Sequence, residues 1–247
     1  MRFAALAWAA VLMSAPAAAQ DHPDLTGFWG ADFTPAERPA DLMDQLPAGT
    51  VVIEDTGVAE FPRGEYGGLT LTPEAAAHAV RWQPQDDMTL DRVCLPPSIV
   101  YAVQGPFPFE IEQTDAVIVF RYEYFDQTRL IWMDGRDRPG PDYPHSKMGF
   151  STGHWDGADL VVDTSHISAS TITNNGLDHT DAVVMQERYR LSEDGKRLLA
   201  TQWFADPAVI EEPGARFISW TRREGQHIYP YECDPTFALE YQAVPSE

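Results

Sequence analysis

Of the seven histidines in the chain, His179 sits among carboxylates within the β-rich half, in Asp178-His179-Thr180-Asp181. A neutral imidazole with a free ring nitrogen accepts a proton, and an adjacent carboxylate fixes its tautomer and draws its pKa toward neutrality. His179 with Asp181 or Asp178 is therefore the leading acid–base set. The preceding residues, Thr171-Ile172-Thr173-Asn174-Asn175-Gly176-Leu177, are polar and short of apolar anchors. They read as a loop between strands, and such loops often carry function. The alternative is an exposed loop histidine among Asx-type turn bonds.

Basic residues are scarce, so Arg129 and Arg136 stand out. Each could clamp a ligand carboxylate with a bidentate guanidinium, or simply neutralise neighbouring acids. Tyr122, Tyr124 and Trp155, with Trp132 and Trp203, could wall an apolar pocket that Glu187 helps to polarise, or could pack the core. Gly149-Phe150-Ser151-Thr152-Gly153 matches G-x-S-x-G, and Asp163 and His179 follow in the order of a serine hydrolase triad. The context differs from that fold, because a further strand rather than a helix follows Ser151. Glycines relieving crowding in a twisted strand explain the pattern equally well. His145, His154, His166 and His179 show neither HxH nor HExxH spacing, and no nucleotide or haem motif occurs, so neither metal nor organic cofactor is expected.

The elements that must position these groups are mostly strands. Ala116–Tyr124, Thr128–Met133, Gly149–Trp155, Asp159–Thr164, Val183–Leu191, Leu198–Phe204 and Phe217–Arg223 are rich in β-branched and aromatic residues, and Asp-Gly pairs join several of them as hairpins. Each alternates with period two. Ile118, Phe120, Tyr122 and Tyr124 share one face, as do Met185, Glu187 and Tyr189. The expected fold is mainly β: an antiparallel meander closed into a barrel of the calycin or lipocalin type, which hides the sheet edges. Residues 20–106 read as an irregular wrap, with Leu25–Gly30 as a first strand. The wrap carries one helix over about 73–82, with Thr72 as N-cap and Pro73 at the first helical position. Residues 107–247 form the β domain, packed with the wrap as one unit.

Residues 1–19 read as a secretory signal peptide: Arg2, an apolar run from Phe3 to Met13, and Ala17-Ala18-Ala19 before Gln20. Cleavage leaves no segment able to span a membrane. The expected location is the periplasm or beyond, where Cys94 and Cys233, the two cysteines, are expected to form one disulfide, the alternative being two buried free thiols. With 38 acidic and 17 basic side chains the net charge is −21. That excess disfavours nucleic acid as a partner, since a phosphate footprint needs clustered Lys and Arg.

The stretch GFSTGHWDGADLVVDT (149–164) has companions elsewhere in the chain. They are Pro108-Phe109-Glu110-Ile111 with Gln113, YEYFDQTRLIWMDGR ending at Arg136, His179-Thr180-Asp181 followed by Glu187-Arg188-Tyr189-Arg190, and Cys94-Leu95-Pro96. Together, over roughly residues 90 to 205, the set resembles a widespread group of secreted bacterial proteins of unknown function. The pattern of that group often has His where this chain has Phe150. The resemblance implies secretion and a β-rich domain, and no particular activity. The leading functional expectation is a cofactor-independent acid–base enzyme, a lyase, isomerase or hydrolase on a small organic molecule. A non-catalytic carrier of lipocalin type and a serine hydrolase using Ser151 are the alternatives.

Overall fold

The computed structural model describes residues 22–32, 34, 37–55 and 60–242. The expected signal peptide lies outside the described residues. Among the described residues, twelve strands run in chain order as β1 (Gly27–Ala31), β2 (Val51–Val52), β3 (Phe109–Gln113), β4 (Val117–Tyr122), β5 (Thr128–Trp132) and β6 (Phe150–Asp156), then β7 (Asp159–Ser165), β8 (Ser170–Thr173), β9 (Leu177–His179), β10 (Val184–Leu191), β11 (Arg197–Ala205) and β12 (Gly214–Arg222). The short helices are α1 (Ala40–Met43), α2 (Pro73–Arg81), α3 (Pro84–Asp87), α4 (Ile99–Ala102) and α5 (Phe237–Gln242).

Nine strands close a barrel in the order β1-β3-β4-β5-β6-β7-β10-β11-β12, and β12 pairs back onto β1 through Trp29 opposite Arg222 and Ala31 opposite Trp220. Closure leaves no free edge along most of the sheet. Asp156-Gly157 and Asp194-Gly195 make the β6–β7 and β10–β11 hairpins, with Gly157 and Gly195 at φ 63° and 69°. Asp134-Gly135 does not. The chain leaves the barrel there, and β6 returns parallel to β5, with Ile131 opposite Ser151. The intervening residues include Pro139, Pro141 and Pro144, which cannot donate to a ladder, so no strand forms beside β5 from that side. β2 also runs parallel to β12. The sheet is therefore mixed rather than wholly antiparallel.

The period-two faces fall as the alternation requires. Ile118, Phe120 and Tyr122 of β4 point into the lumen and are at most 2% exposed. Trp29, Phe109, Tyr189, Phe204 and Trp220 fill the rest, so the lumen is packed with side chains. One hydrophobic cluster joins the lumen to Ile53, Leu69, Ile99, Val100 and Val103 of the wrap. In α2, Thr72 Oγ1 accepts from the Ala75 N–H and Pro73 opens the first turn, as the sequence indicates.

The wrap, α4 and the β8–β9 hairpin close the end of the barrel where β4 ends and β10 begins. The buried Arg216 of β12 ties them down. Its guanidinium donates to Asp55 (2.7 and 3.0 Å), to the Val100 carbonyl of α4 (3.0 Å), to Gln202 (3.0 Å) and to the Ile172 carbonyl of β8. At the same end Cys94 and Cys233 form the expected disulfide, with Cα atoms 5.8 Å apart. It fastens the C-terminal segment to the residues that enter α4.

Candidate functional site

A pocket of about 370 Å³ opens over this closed end; His179, Asp178, Lys147, Tyr124, Phe125 and Leu95 are among the residues lining it. His179 comes from β9, where a short hairpin replaces the expected loop: Ser170 pairs with His179 and Thr171 with Asp178. The polar sequence still makes strands because its side chains find partners, one within the hairpin and the others on the wrap. Thr173 Oγ1 bonds Asn175 Oδ1 at 2.6 Å, and the Asn175 amide donates to the wrap carbonyls of Pro62 and Glu65 at 3.1 and 2.7 Å. Gly176, at φ 95°, makes the turn against Trp82, where a Cβ would stand 2.7 Å from the Trp82 Cβ.

His179 is 2% exposed, not an exposed loop residue. Its Nδ1 lies 2.8 Å from the Thr180 carbonyl oxygen, which can only accept, so Nδ1 carries the proton. Nε2 then presents its lone pair to Ser98 Oγ, which donates across 2.7 Å. The residue after His179 is itself anchored: the Thr180 N–H and Oγ1–H both donate to Asp206 Oδ2, at 2.6 and 2.8 Å. A fixed tautomer thus runs from Ser98 through His179 and Thr180 to the buried Asp206.

The expected orienting acids do not hold the ring. Asp178 alternates to the opposite face of β9 from His179 and pairs with His78 of α2 at 3.3 Å. Asp181 is exposed in the turn beyond. A backbone carbonyl orients the imidazole instead, and Asp206 is the carboxylate whose charge reaches it. Burial pulls the His179 pKa down to about 4, and the Lys147 and Arg216 charges act the same way. The Thr180 bond and Asp206 oppose them without overcoming desolvation. The ring is neutral at any ordinary working pH.

Of the expected binding residues, Tyr124 lines this pocket and the others do not. Arg129 lies in the lumen, 1% exposed, ion-paired to Glu187 at 2.5 Å. Its Nε and Nη2 also donate to Ser151 and Thr164, at 3.0 and 2.6 Å, and Tyr189 Oη donates to Glu187 at 2.7 Å. Tyr122 packs in the lumen beside Phe109 and Phe120. Arg136 is at the surface, paired with Asp134 at 2.6 Å and lying 3.6 Å over the Trp132 ring. Trp155 stacks on His22 at the far end of the barrel.

Ser151 is no strained elbow. It sits inside β6, 1% exposed, with Oγ taken by Arg129 and Thr164. The flanking glycines are steric: a Cβ at Gly153 would stand 2.6 Å from Met133 Sδ, and one at Gly149 2.7 Å from the Ser165 carbonyl oxygen.

Sequence reasoning passed over Ser98, Lys147 and Asp206. Ser98 had one legible signal, the N-cap position of a short helix after Pro96-Pro97, which marks a boundary and not a histidine partner. Among the described residues, no group of three or more His, Cys, Asp or Glu could hold a metal ion, and no helix is long and apolar enough to cross a membrane. Comparison with protein-family models, with curated proteins and with solved structures found no match.

Proposed function

We propose that this is a secreted or periplasmic pocket enzyme that moves a proton on a small organic substrate without a cofactor, with His179 as the base. The observation that carries this reading is the tautomer: a neutral imidazole in the pocket wall, its Nδ1–H committed to Thr180 and its Nε2 lone pair presented to a hydroxyl. While the pocket is empty, Ser98 occupies that lone pair. A substrate proton reaches it either directly, with the serine rotating away, or through the serine hydroxyl. Lyases, isomerases and hydrolases all use such a step. Secretion is supported by the leader-like first residues, the motif resemblance and the disulfide.

The second reading is a binding protein without turnover. The full burial of Ser98 behind the pocket wall favours it. On this reading the ligand takes the same end pocket, which the packing of the lumen supports over the barrel interior.

The test is a turnover screen with small esters, lactones, hydroxy acids and oxo acids on the wild type, His179→Ala and Ser98→Ala. The proton-transfer reading expects His179→Ala to lose turnover by about 10²–10⁴-fold while keeping most of its affinity. It also expects kcat/KM to fall on the acid side only near pH 4, where the ring protonates. Binding without turnover in the wild type establishes the carrier. An unchanged rate in His179→Ala removes the histidine from the reaction.

A further inference from the structure

Four charged side chains among the described residues line the end pocket, and three of them have side-chain partners. Arg92 pairs with Asp87 at 2.7 Å, which accounts for two, and Asp178 pairs with His78 at 3.3 Å. Lys147 is the fourth. Its Nζ makes one hydrogen bond, to the Ala169 carbonyl at 2.8 Å, and no carboxylate stands within ion-pair distance among the described residues. An ammonium has three donors, so two remain for the pocket.

Lys147 is also held in place. Its own carbonyl accepts from the Ile99 N–H at 2.9 Å, the residue after Ser98, and its Nζ is fixed to the residue before Ser170. The cation therefore lines the same pocket as Ser170 and His179, tethered at both its backbone and its ammonium. Tyr124, Phe125, Leu95 and Pro97 supply an apolar wall to the same space. Phe125 is held there at φ 57°, a backbone conformation that non-glycine residues rarely adopt.

We infer that Lys147 is the anchor for a carboxylate, and that the pocket takes small amphiphilic carboxylic acids with the apolar body against Tyr124 and Phe125. This rests on the proton-transfer reading for its catalytic consequence, though not for the binding itself. Burial lowers the Lys147 pKa, Asp178 opposes that, and Arg92 adds to it. Of the groups around Lys147, then, Asp178 on β9 is the acid acting on it, and it is already shared with His78. A bound carboxylate would complete the ion pair. It would also cancel one of the charges that hold the His179 pKa down, so the base would strengthen when substrate is in place.

The experiment is calorimetric titration of the mature, disulfide-bonded protein with acetate, benzoate, phenylacetate and phenylpropionate, each against its primary amide, with the His179 ring followed by NMR through a pH series. At least one acid should bind roughly tenfold more tightly than its amide. Lys147→Met should lose that preference and Lys147→Arg keep most of it, with thermal melts confirming that both fold. The His179 pKa should rise on binding in the wild type and stay put in Lys147→Met. Equal binding of acids and amides, full binding by Lys147→Met, or no binding of any acid would overturn the inference. His179→Ala separates this inference from the proton-transfer reading. Retained acid preference with unchanged turnover sinks the base and leaves the anchor. Lost turnover without acid preference does the reverse.

Discussion

His179 shows how a single side chain couples the site to stability. Its folded pKa of about 4 lies below the ordinary 6.5, so between those values the unfolded chain binds a proton that the folded one refuses. Stability from this residue is complete above about pH 6.5 and is lost as the pH falls toward 4, by on the order of 3 kcal/mol. Melts of the wild type should fall more steeply across that window than those of His179→Ala. A variant with an equally steep fall places the titration elsewhere. Because the ring is buried and doubly bonded, His179→Ala should also cost about 1–3 kcal/mol at neutral pH, read by urea unfolding. In the lumen, Arg129→Met should destabilise by about 3–5 kcal/mol, because Glu187 is left as a buried unpaired charge. Arg129→Met with Glu187→Leu should recover much of the loss, and a double variant no better than the single one would show that the pair itself stabilises.

At the scale of elements, the site is assembled from pieces that are weak alone: a four-residue helix, α4, and a hairpin of seven paired and turn-adjacent positions, β8–β9. Neither could persist without tertiary support. That support is Arg216 from below and the disulfide from the side. The C-terminal segment is hung on side chains of the barrel, with the Tyr229 and Tyr231 N–H groups donating to Glu123 and Asp126 at 3.0 and 3.1 Å and Tyr231 packing on Phe125. Cys94→Ala with Cys233→Ala opens a loop spanning 139 positions, and the chain-entropy limit for one that long is about 5 kcal/mol. The melting temperature should drop, and protease should cut first near residues 227–233. Global unfolding with no early cut would mean the strap is not a separable unit. The β-rich strands and α2 were legible because each carries a local signal, alternation or a cap. The β8–β9 hairpin was not, since its stability comes from Asn175 reaching carbonyls of the wrap.

For the whole molecule, 38 acids against 17 basic residues leave a net charge of −21, which ion pairing within the chain does not reduce. Self-repulsion of this size is screened by salt, whereas the buried Arg129–Glu187 and Arg216–Asp55 pairs are not. The melting temperature should therefore rise by several degrees between about 0.01 and 0.5 M NaCl at neutral pH. A fall over that range would mean that surface ion pairs, such as Arg38 with Glu54 at 2.6 Å, outweigh the net repulsion.

The alternation of apolar residues determined that this chain is mainly β and that strands such as β4 and β10 have one core side, because a strand's side chains alternate whatever its neighbours are. The glycines of Asp156-Gly157 and Asp194-Gly195 determined two hairpins in the same local way, and the count of two cysteines determined the single disulfide. Which residues meet at the closed end was decided only by the tertiary structure. Ser98 and His179 lie 81 positions apart, and Arg129 and Glu187 58 apart, with the partner in each case chosen by how the barrel closes. Sequence neighbours drew attention to Asp178 and Asp181. Strand pleating then turned Asp178 away from the ring and left a backbone carbonyl to hold it.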